Sequence, residues 1–499
     1  MERYVLCIDN GLTATKAVIF TLQGKELSSG VVNTVVESRN EFNEIDMELQ
    51  WKNTAAAIRQ TIAASGIDPA NIAGIGNSGH GAGLYCLDNR GRPVRKAITS
   101  MDARASGILE QWEKEGRSSY DRLYQNLWSG QPVPILYWLK KHEPENYNGI
   151  ARILMVKDWI IYNLTGETGI EYTDASNSGF INPLSRNIDY HILKMFNVEE
   201  ISGCIPKLRA TTDVAGYVTK AAAEETGLKA GTPVMCGVYD VVACALGSGV
   251  YDEEKYSLIA GTWNINSGIE KRLIKSGSTV KCSLFADINK YIFVESSATS
   301  AVNLDWFINK VVKGFGLSNM ANSAIFKRTD AEVEKIKPDA SGVMYMPFLY
   351  KSHLASNMNG SFLGIRPEHD VFHMLRAVFE GVVFAHLKHI ENLRKGGIDR
   401  KAAVLSGGAS NSDLWSQMFA DILNMEIRTT QASQAGALGM AVCAAVAVKE
   451  YSGFSEAVNT MVHIKKSYYP DKNNYQIYMA KYKEFKKIIN MFEQYHPQT

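Results

Sequence analysis

Apolar residues first gather at Val5–Ile8, a run that ends in Asp9 and is followed by Gly11. A second run, Ala17–Phe20, stops before Gln23-Gly24. Two short apolar runs around a polar, glycine-bearing segment predict strand, turn, strand. Residues 46–64 (DMELQWKNTAAAIRQTIAA) change to helical spacing, closed by Gly66. Ile72–Gly76 is the next strand. Alternating helix and strand patterns then predict an α/β class.

The second half restarts the pattern. Tyr256–Ala260 is apolar, Gly261-Thr262 turns the chain, and Ile265–Ile269 returns. Tyr291–Glu295 is another strand. Asp370–Lys395 is a long helical stretch with Asp370 as N-cap and Gly396-Gly397 as its stop. Val404–Leu405 then runs into Ser406-Gly407-Gly408. Each half thus offers a hairpin whose glycine turn carries hydroxyls: Asp9 to Thr15 in the first, Gly261-Thr262 in the second. The expectation is two related α/β domains, 1–250 and 251–499, packed around a cleft.

The length of 499 residues agrees with more than one domain, since single cores rarely grow past ~250–300 residues. With 53 basic and 52 acidic residues, no charge excess points to nucleic acid. No apolar run reaches the ~20 residues of a membrane span; GALGMAVCAAVAV at 436–448 reads as a buried helix. Seven scattered cysteines contain no C-x-x-C pair, which argues against a zinc knuckle or thioredoxin motif. They suit a reducing cytoplasm, as does an N-terminus without a signal-peptide apolar region.

Four segments carry candidate chemistry. Gly74, Gly76 and Gly79 spell G-x-G-x-x-G. A dinucleotide site needs a helix directly after such a run. Here Leu84–Leu87 is a strand pattern ending in a D-N-x-G turn, so close approach of strands explains the glycines better. Around Asp9, Gly11, Thr13 and Lys16, turn amides and hydroxyls suit a polyphosphate, and the carboxylate suits Mg²⁺. Asp240 stands between an apolar strand (Pro233–Val238) and an apolar helical segment. It reads equally as a helix cap or as a general base, and one residue can do both. Leu405–Asp421 reads strand, glycine turn, helix, a place for a flat ligand. His369/His373 and His386/His389 lie on or beside one helix; without Cys or H-E-x-x-H they read as partly exposed helix residues rather than metal ligands.

Together these pieces resemble the FGGY carbohydrate kinase family. The match rests on IDNGLTATKAVIF (8–20), SMDARA (100–105), KDWIIYNLTGE (157–167), TDASNSGF (173–180), GVYDVV (237–242), AGTW (260–263), LSGGASNSDLWSQMFADIL (405–423) and QAGALGMA (434–441), in order and spacing. LWSGQPVPILYWLKKHEPENY (127–147) and PFLYKSH (347–353) are similar to the pentulose kinases within it. Ser352-His353 stand where other members usually carry Glu-Arg.

The resemblance implies two ribonuclease-H-like domains of the actin/hexokinase-like ATPase type flanking a catalytic cleft. It implies phosphorylation of a sugar hydroxyl by ATP with Mg²⁺. The sugar would be a ketopentose such as L-xylulose or D-xylulose; erythritol, glycerol, L-ribulose and gluconate are the alternatives, as is a non-catalytic ATP- and sugar-binding sensor. Asp240 matches the general base. Asp9, Gly11, Thr13 and Lys16 match the first phosphate loop, with Asp9 on the metal directly or through water. Gly261 and Thr262 match the second phosphate loop, and Gly407, Gly408 and Ala409 the adenosine pocket. His80, Gly81 and Asp102 match sugar-binding positions. His80 replaces a usual Gln, and Gly81-Ala82 replace larger side chains, a departure that bears on which sugar fits. A cytoplasmic homodimer is the implied assembly.

Overall fold

The opening apolar run becomes strand β1 (Tyr4–Asn10), and the second becomes β2 (Ala14–Thr21). They pair antiparallel, Asp9 opposite Lys16. The computed structural model describes residues 2–277, 279–313, 322–350, 352–355 and 358–494. They fall into two compact units. The first comprises Met1–Tyr251, Ile269–Phe293 and Ala432–His463; the second comprises Asp252–Gly268, Val294–Gln431 and Ile464–Thr499.

In the first unit, β3 (Glu26–Asn33) pairs antiparallel with β2. Helix α1 (Met47–Ser65) is capped by Asp46, whose side chain accepts from the Leu49 N–H, and is closed by Gly66 in the left-handed region. β4 (Ile72–Gly79) then lies parallel to β1 on its other side. Helices α2 (Val156–Thr165) and α3 (Tyr172–Asn177) precede β5 (Val214–Tyr217), β6 (Pro233–Met235) and β7 (Val238–Tyr239). The sheet runs β5-β6-β4-β1-β2-β3, with β7 also paired to β4. Leu6, Ile8, Ile19 and Ile75 are fully buried in it, against Trp51 and Ile58 of α1 and Trp159 and Leu164 of α2. Each such side chain contributes ~1.5–3 kcal/mol by leaving water. A second apolar cluster gathers Leu84, Ile98, Trp112, Leu136, Phe180 and Phe196. Its members come from residues 84–201; other apolar side chains of that stretch, Trp159 and Leu164 among them, pack into the first cluster.

Strand β7 leads without a break into α4 (Asp240–Gly247). This helix packs against the helix Ala435–Ala447, the buried apolar segment expected from sequence.

In the second unit, β8 (Lys255–Ala260) and β9 (Asn264–Glu270) form the antiparallel hairpin. β10 (Tyr291–Ser297), which belongs to this unit from Val294 onward, lies beyond β9. Helix α5 (Val371–Lys395) is capped by Asp370, whose carboxylate accepts from the Phe372 and His373 amides. β11 (Ala402–Ser406) runs parallel to β8, and β12 (Glu426–Thr430) parallel to β11. β13 (Ile464–Tyr468) closes the edge. The hairpin followed by a parallel neighbour therefore repeats the arrangement of β1, β2 and β4. Phe379 of α5 stacks on Trp415 with ring centroids 4.6 Å apart, anchoring the helix to the segment after β11.

One expectation is corrected here. His369 and His373 keep partial exposure, but His386 and His389 are fully buried. Burial is tolerated because each has polar partners on other strands: Asn266 Oδ1 lies 2.7 Å from His386 Nδ1, and Glu295 Oε2 lies 2.7 Å from His389 Nδ1. Among the described residues no helix is long and apolar enough to cross a membrane, and the seven cysteines are free thiols.

Candidate functional site

Register brings the first-unit residues together. Asp9 sits opposite Ser78 in the parallel β1–β4 ladder, and Tyr239 sits opposite Gly79 in the β7–β4 ladder. Asp9, His80 and Asp240 therefore emerge at the carboxyl ends of three neighbouring parallel strands, where α/β sheets present ligands. No helix follows Gly79; the loop His80–Gly83 leads to the strand Tyr85–Leu87. The glycines of β4 serve packing. A Cβ on Gly76 would meet the Met440 carbonyl at 2.8 Å, and one on Gly79 would meet Val156 at 2.4 Å. The intruding neighbours come largely from helices, rather than from a second strand.

Asp240 is the first residue of α4, and one of its oxygens accepts the Val241 N–H at 2.7 Å. Part of the residue stays open to solvent. Burial of the carboxylate nevertheless pushes its pKa well above the usual range, and the charges of Asp9 and Asp174 push it further. Burial raises Asp9 too, against the pull of Lys16. In the turn between β1 and β2, the Gly11 N–H donates to Ala14 O, and Thr34 Oγ1 donates to Gly11 O. Thr13 is exposed at the tip.

The residues expected from sequence to meet the sugar are held firmly. His80 is buried, with Nε2 3.1 Å from the Tyr85 hydroxyl and Nδ1 3.4 Å from Ser100 Oγ. Burial lowers its pKa to about 4, so the ring is neutral. Asp102 is buried against Arg104, which donates from Nε at 2.8 Å and Nη2 at 2.9 Å, while the Asn43 amide donates at 2.7 Å. Gly81 lies against the Tyr239 ring: an added Cβ would stand 2.3 Å from Tyr239 Cε2 and 2.7 Å from Asn177 Nδ2. The aromatic ring of this chain thus occupies the space a side chain at 81 would use.

Sequence reading missed the network beneath. Lys157 is fully buried, 2.9 Å from Asp158, 3.6 Å from Asp174 and 4.0 Å from Glu171. Burial pulls its proton affinity down, but these three carboxylates more than offset that and hold it raised. Asp174 Oδ1 accepts the N–H of Ala82, which sits at φ 61°. Such a conformation in alanine is held by its surroundings. Thr173 links the network to the residue before Asp240: its hydroxyl donates to Glu171 and accepts the Tyr239 N–H. The signal available in sequence was a polar run, TDASN, between apolar segments, with no cue to its depth.

Burial raises Asp174 to about 7, despite the attraction of Lys157. The folded protein keeps this proton after the unfolded chain has lost its own near ~4, so the group costs stability as pH rises from ~4 through about 7. Asp174→Asn is expected to gain thermal midpoint relative to the parent across that window. Paired melts at pH 4.5 and 8 check this; a difference that stays constant or shrinks would refute the assignment.

In the second unit, Ile259 of β8 lies opposite Ser406 of β11. The parallel ladder therefore sets Gly261 and Thr262 beside Gly407, Gly408 and Ala409. Gly407 adopts φ 85°, and a Cβ there would meet the Ala260 carbonyl group at 2.7 Å. Only glycine allows both the left-handed turn and this approach. Thr262 is exposed, Gly261 partly so, and Ala409 is buried. Helix Asp413–Leu423 follows, with Ser412 capping the Trp415 N–H.

Residues 4–247 match the N-terminal domain of the FGGY family of carbohydrate kinases, and residues 257–448 match its C-terminal domain. The chain belongs to the FGGY family of carbohydrate kinases. It is 36% identical over 489 residues to a protein of Pasteurella multocida (strain Pm70) named as a probable L-xylulose kinase, covering 97% of this chain and 98% of that one. It is 32% identical to the L-xylulose/3-keto-L-gulonate kinase of Escherichia coli (strain K12), covering 99% and 98%. The crystal structure of xylulose kinase from Lactobacillus acidophilus superposes with a TM-score of 0.89 over 99% of each chain at 22% identity. The fold is the two-domain actin/hexokinase-like ATPase fold, and this FGGY kinase phosphorylates a sugar at the expense of ATP.

In this kinase, Gly81→Ala forces the Tyr239 ring to move. One methylene in a fitted pocket is worth ~10- to 200-fold in discrimination. The sugar KM is expected to rise within that range while the ATP KM stays near the parent's. Steady-state kinetics with each substrate varied checks this; equal changes in both would count against it.

Proposed function

We propose that this kinase transfers the γ-phosphate of ATP to a hydroxyl of L-xylulose, with Asp240 as general base. The observation that carries the chemistry is Asp240 at the strand ends, its proton affinity raised by burial and by Asp9 and Asp174. A carboxylate so tuned accepts a proton more readily than a solvated one. The substrate reading rests on the relatives named for L-xylulose at 36%, 35% and 32% identity.

Asp240 takes the proton of the attacking hydroxyl as its oxygen bonds to the γ-phosphorus, and the bond to the bridging oxygen breaks to release ADP. Positioning and charge stabilisation do most of the work in such a transfer. Gly11, Thr13 and Lys16 would bind the phosphates. Gly261 and Thr262 would also bind phosphate oxygens, and Gly407, Gly408 and Ala409 would bind the adenosine. His80, Gly81 and Asp102 would shape the sugar pocket, His80 as a neutral ring fixed by Tyr85 and Ser100.

Mg²⁺ fits the donor set, because Asp240 feels the charges of both Asp9 and Asp174, and a divalent cation on carboxylate oxygen relieves that repulsion. Asp9 would hold the ion directly or through water, and bound Mg²⁺ neutralises phosphate charge. We place the protein in the cytoplasm, which the free cysteines support, and without a nucleic-acid partner, which the balanced charge supports; a homodimer is the assembly that the family resemblance implies.

A coupled ADP-release assay over L-xylulose, D-xylulose, L-ribulose, erythritol, glycerol and gluconate tests the reading. L-xylulose should give the highest kcat/KM. A higher value for another compound overturns the substrate, and no sugar-dependent ADP release with any of them defeats the kinase reading.

A further inference from the structure

We propose that Glu295, His353 and His389 form a site for Zn²⁺ in the second unit, separate from any metal at Asp9. His353 Nε2 lies 3.3 Å from Glu295 Oε2, and His389 Nδ1 lies 2.7 Å from the same oxygen. The three ligand atoms all fall within 4.8 Å of one another. Around tetrahedral Zn²⁺, bonds of ~2.0–2.1 Å put neighbouring ligand atoms ~3.3 Å apart. The His353 distance already meets that figure, and the His389 distance needs to open by about half an ångström.

The donor set of two imidazoles and one carboxylate is borderline in softness, which favours Zn²⁺ over Mg²⁺ or Ca²⁺. Three protein ligands leave the fourth position to water. His389 is oriented from behind: its Nε2 lies 2.7 Å from Ser297 Oγ. An outer partner of this kind fixes the ring and the tautomer of a metal-bound histidine. Glu295 and His389 are buried, whereas the His353 side chain is 42% exposed, which provides an entry path.

A simple buried hydrogen bond between Glu295 and His389 would need no third residue. Here a second histidine, on the loop after Met346, converges on the same oxygen. The ion would tie that loop to β10 and α5. Beyond Ser297 the polar chain continues to Thr299 at 2.8 Å and to Asn264 at 3.2 Å, the residue that follows the turn Gly261–Trp263.

The test uses full-length protein stripped with EDTA and dialysed into excess Mg²⁺. Zn²⁺ is titrated against a chromogenic chelator, and Co²⁺ is added separately as a spectroscopic probe. The parent should bind one equivalent of Zn²⁺, show the intense visible bands of tetrahedral Co²⁺, and melt at a higher temperature with Zn²⁺. Losing only an outer partner costs ~10–100-fold in affinity. His353→Ala, which removes a ligand at a half-exposed position, should therefore weaken binding ~100-fold or more and abolish the thermal shift. His389→Asn, checked for a native circular dichroism spectrum, should behave likewise. Failure of the parent to bind Zn²⁺ beside Mg²⁺, or equal binding by folded His353→Ala, overturns the proposal.

Discussion

Asp240→Asn is expected to lose about 10²–10⁴-fold in kcat, the usual contribution of a general base, with the ATP KM little changed. It should also raise the thermal midpoint at neutral pH. The two effects share one cause. Burial and the charges of Asp9 and Asp174 oppose ionisation of Asp240. A carboxyl whose folded pKa is raised destabilises the fold at every pH above its unfolded value near ~4, increasingly until the folded pKa is passed. Asparagine keeps the shape, can still accept the Val241 N–H and carries no charge. The gain in stability marks the strain that the native charge stores at the site. Steady-state kinetics and melts at pH 7.5 measure both. A kcat near the parent's would remove Asp240 from the mechanism, and a lower midpoint would refute the electrostatic account. In the parent, the acid limb of kcat/KM should lie above the ordinary carboxylate range, because protonated Asp240 cannot accept the hydroxyl proton.

Gly439→Ala is expected to lower the thermal midpoint by several degrees and to reduce kcat, although residue 439 belongs to a helix with no proposed catalytic group. An added Cβ would sit 1.8 Å from the Ala243 carbonyl oxygen in α4. On the facing side, a Cβ at Gly247 would sit 1.8 Å from the Ala435 carbonyl. Backbone oxygens cannot rotate aside, so the two helices must separate. Overpacking costs about 1–3 kcal/mol, against which alanine regains ~1 kcal/mol of helix propensity. The separation moves α4, whose first residue is Asp240. A displacement near 1 Å at a reacting group costs ~10²-fold. Thermal melts and kcat with saturating substrates check the pair. Parental values for both would show that the helices are free to part.

The turns and their neighbours were legible because their signals are local. Asp9-Asn10-Gly11, Gly261-Thr262 and Ser406-Gly407-Gly408 each follow an apolar run, and glycine after a strand end has few other uses. Asp240 was legible as a carboxylate between two apolar segments, with cap and base left open. The structure puts it at the first position of α4, accepting the next residue's amide. Lys157, Glu171 and Asp174 were not legible as a network, because isolated charges in sequence read as surface. Their burial depends on one another, through contacts between segments that sequence spacing does not bring together. His386 and His389 were read as partly exposed for the same reason: their partners Asn266, Ser297 and Glu295 lie about ninety or more residues away.

By itself, the sequence determined the α/β alternation, the glycine turns and the family, since these rest on local backbone preference and on motif order. Only the tertiary structure decided that residues 269–293 and 432–463 pack with the first unit. It alone showed that the Tyr239 ring fills the space beside Gly81, and that three carboxylates share one buried lysine. Those outcomes depend on which surfaces meet, and the cost of burying a charge or the room for a side chain exists only once distant segments are in contact.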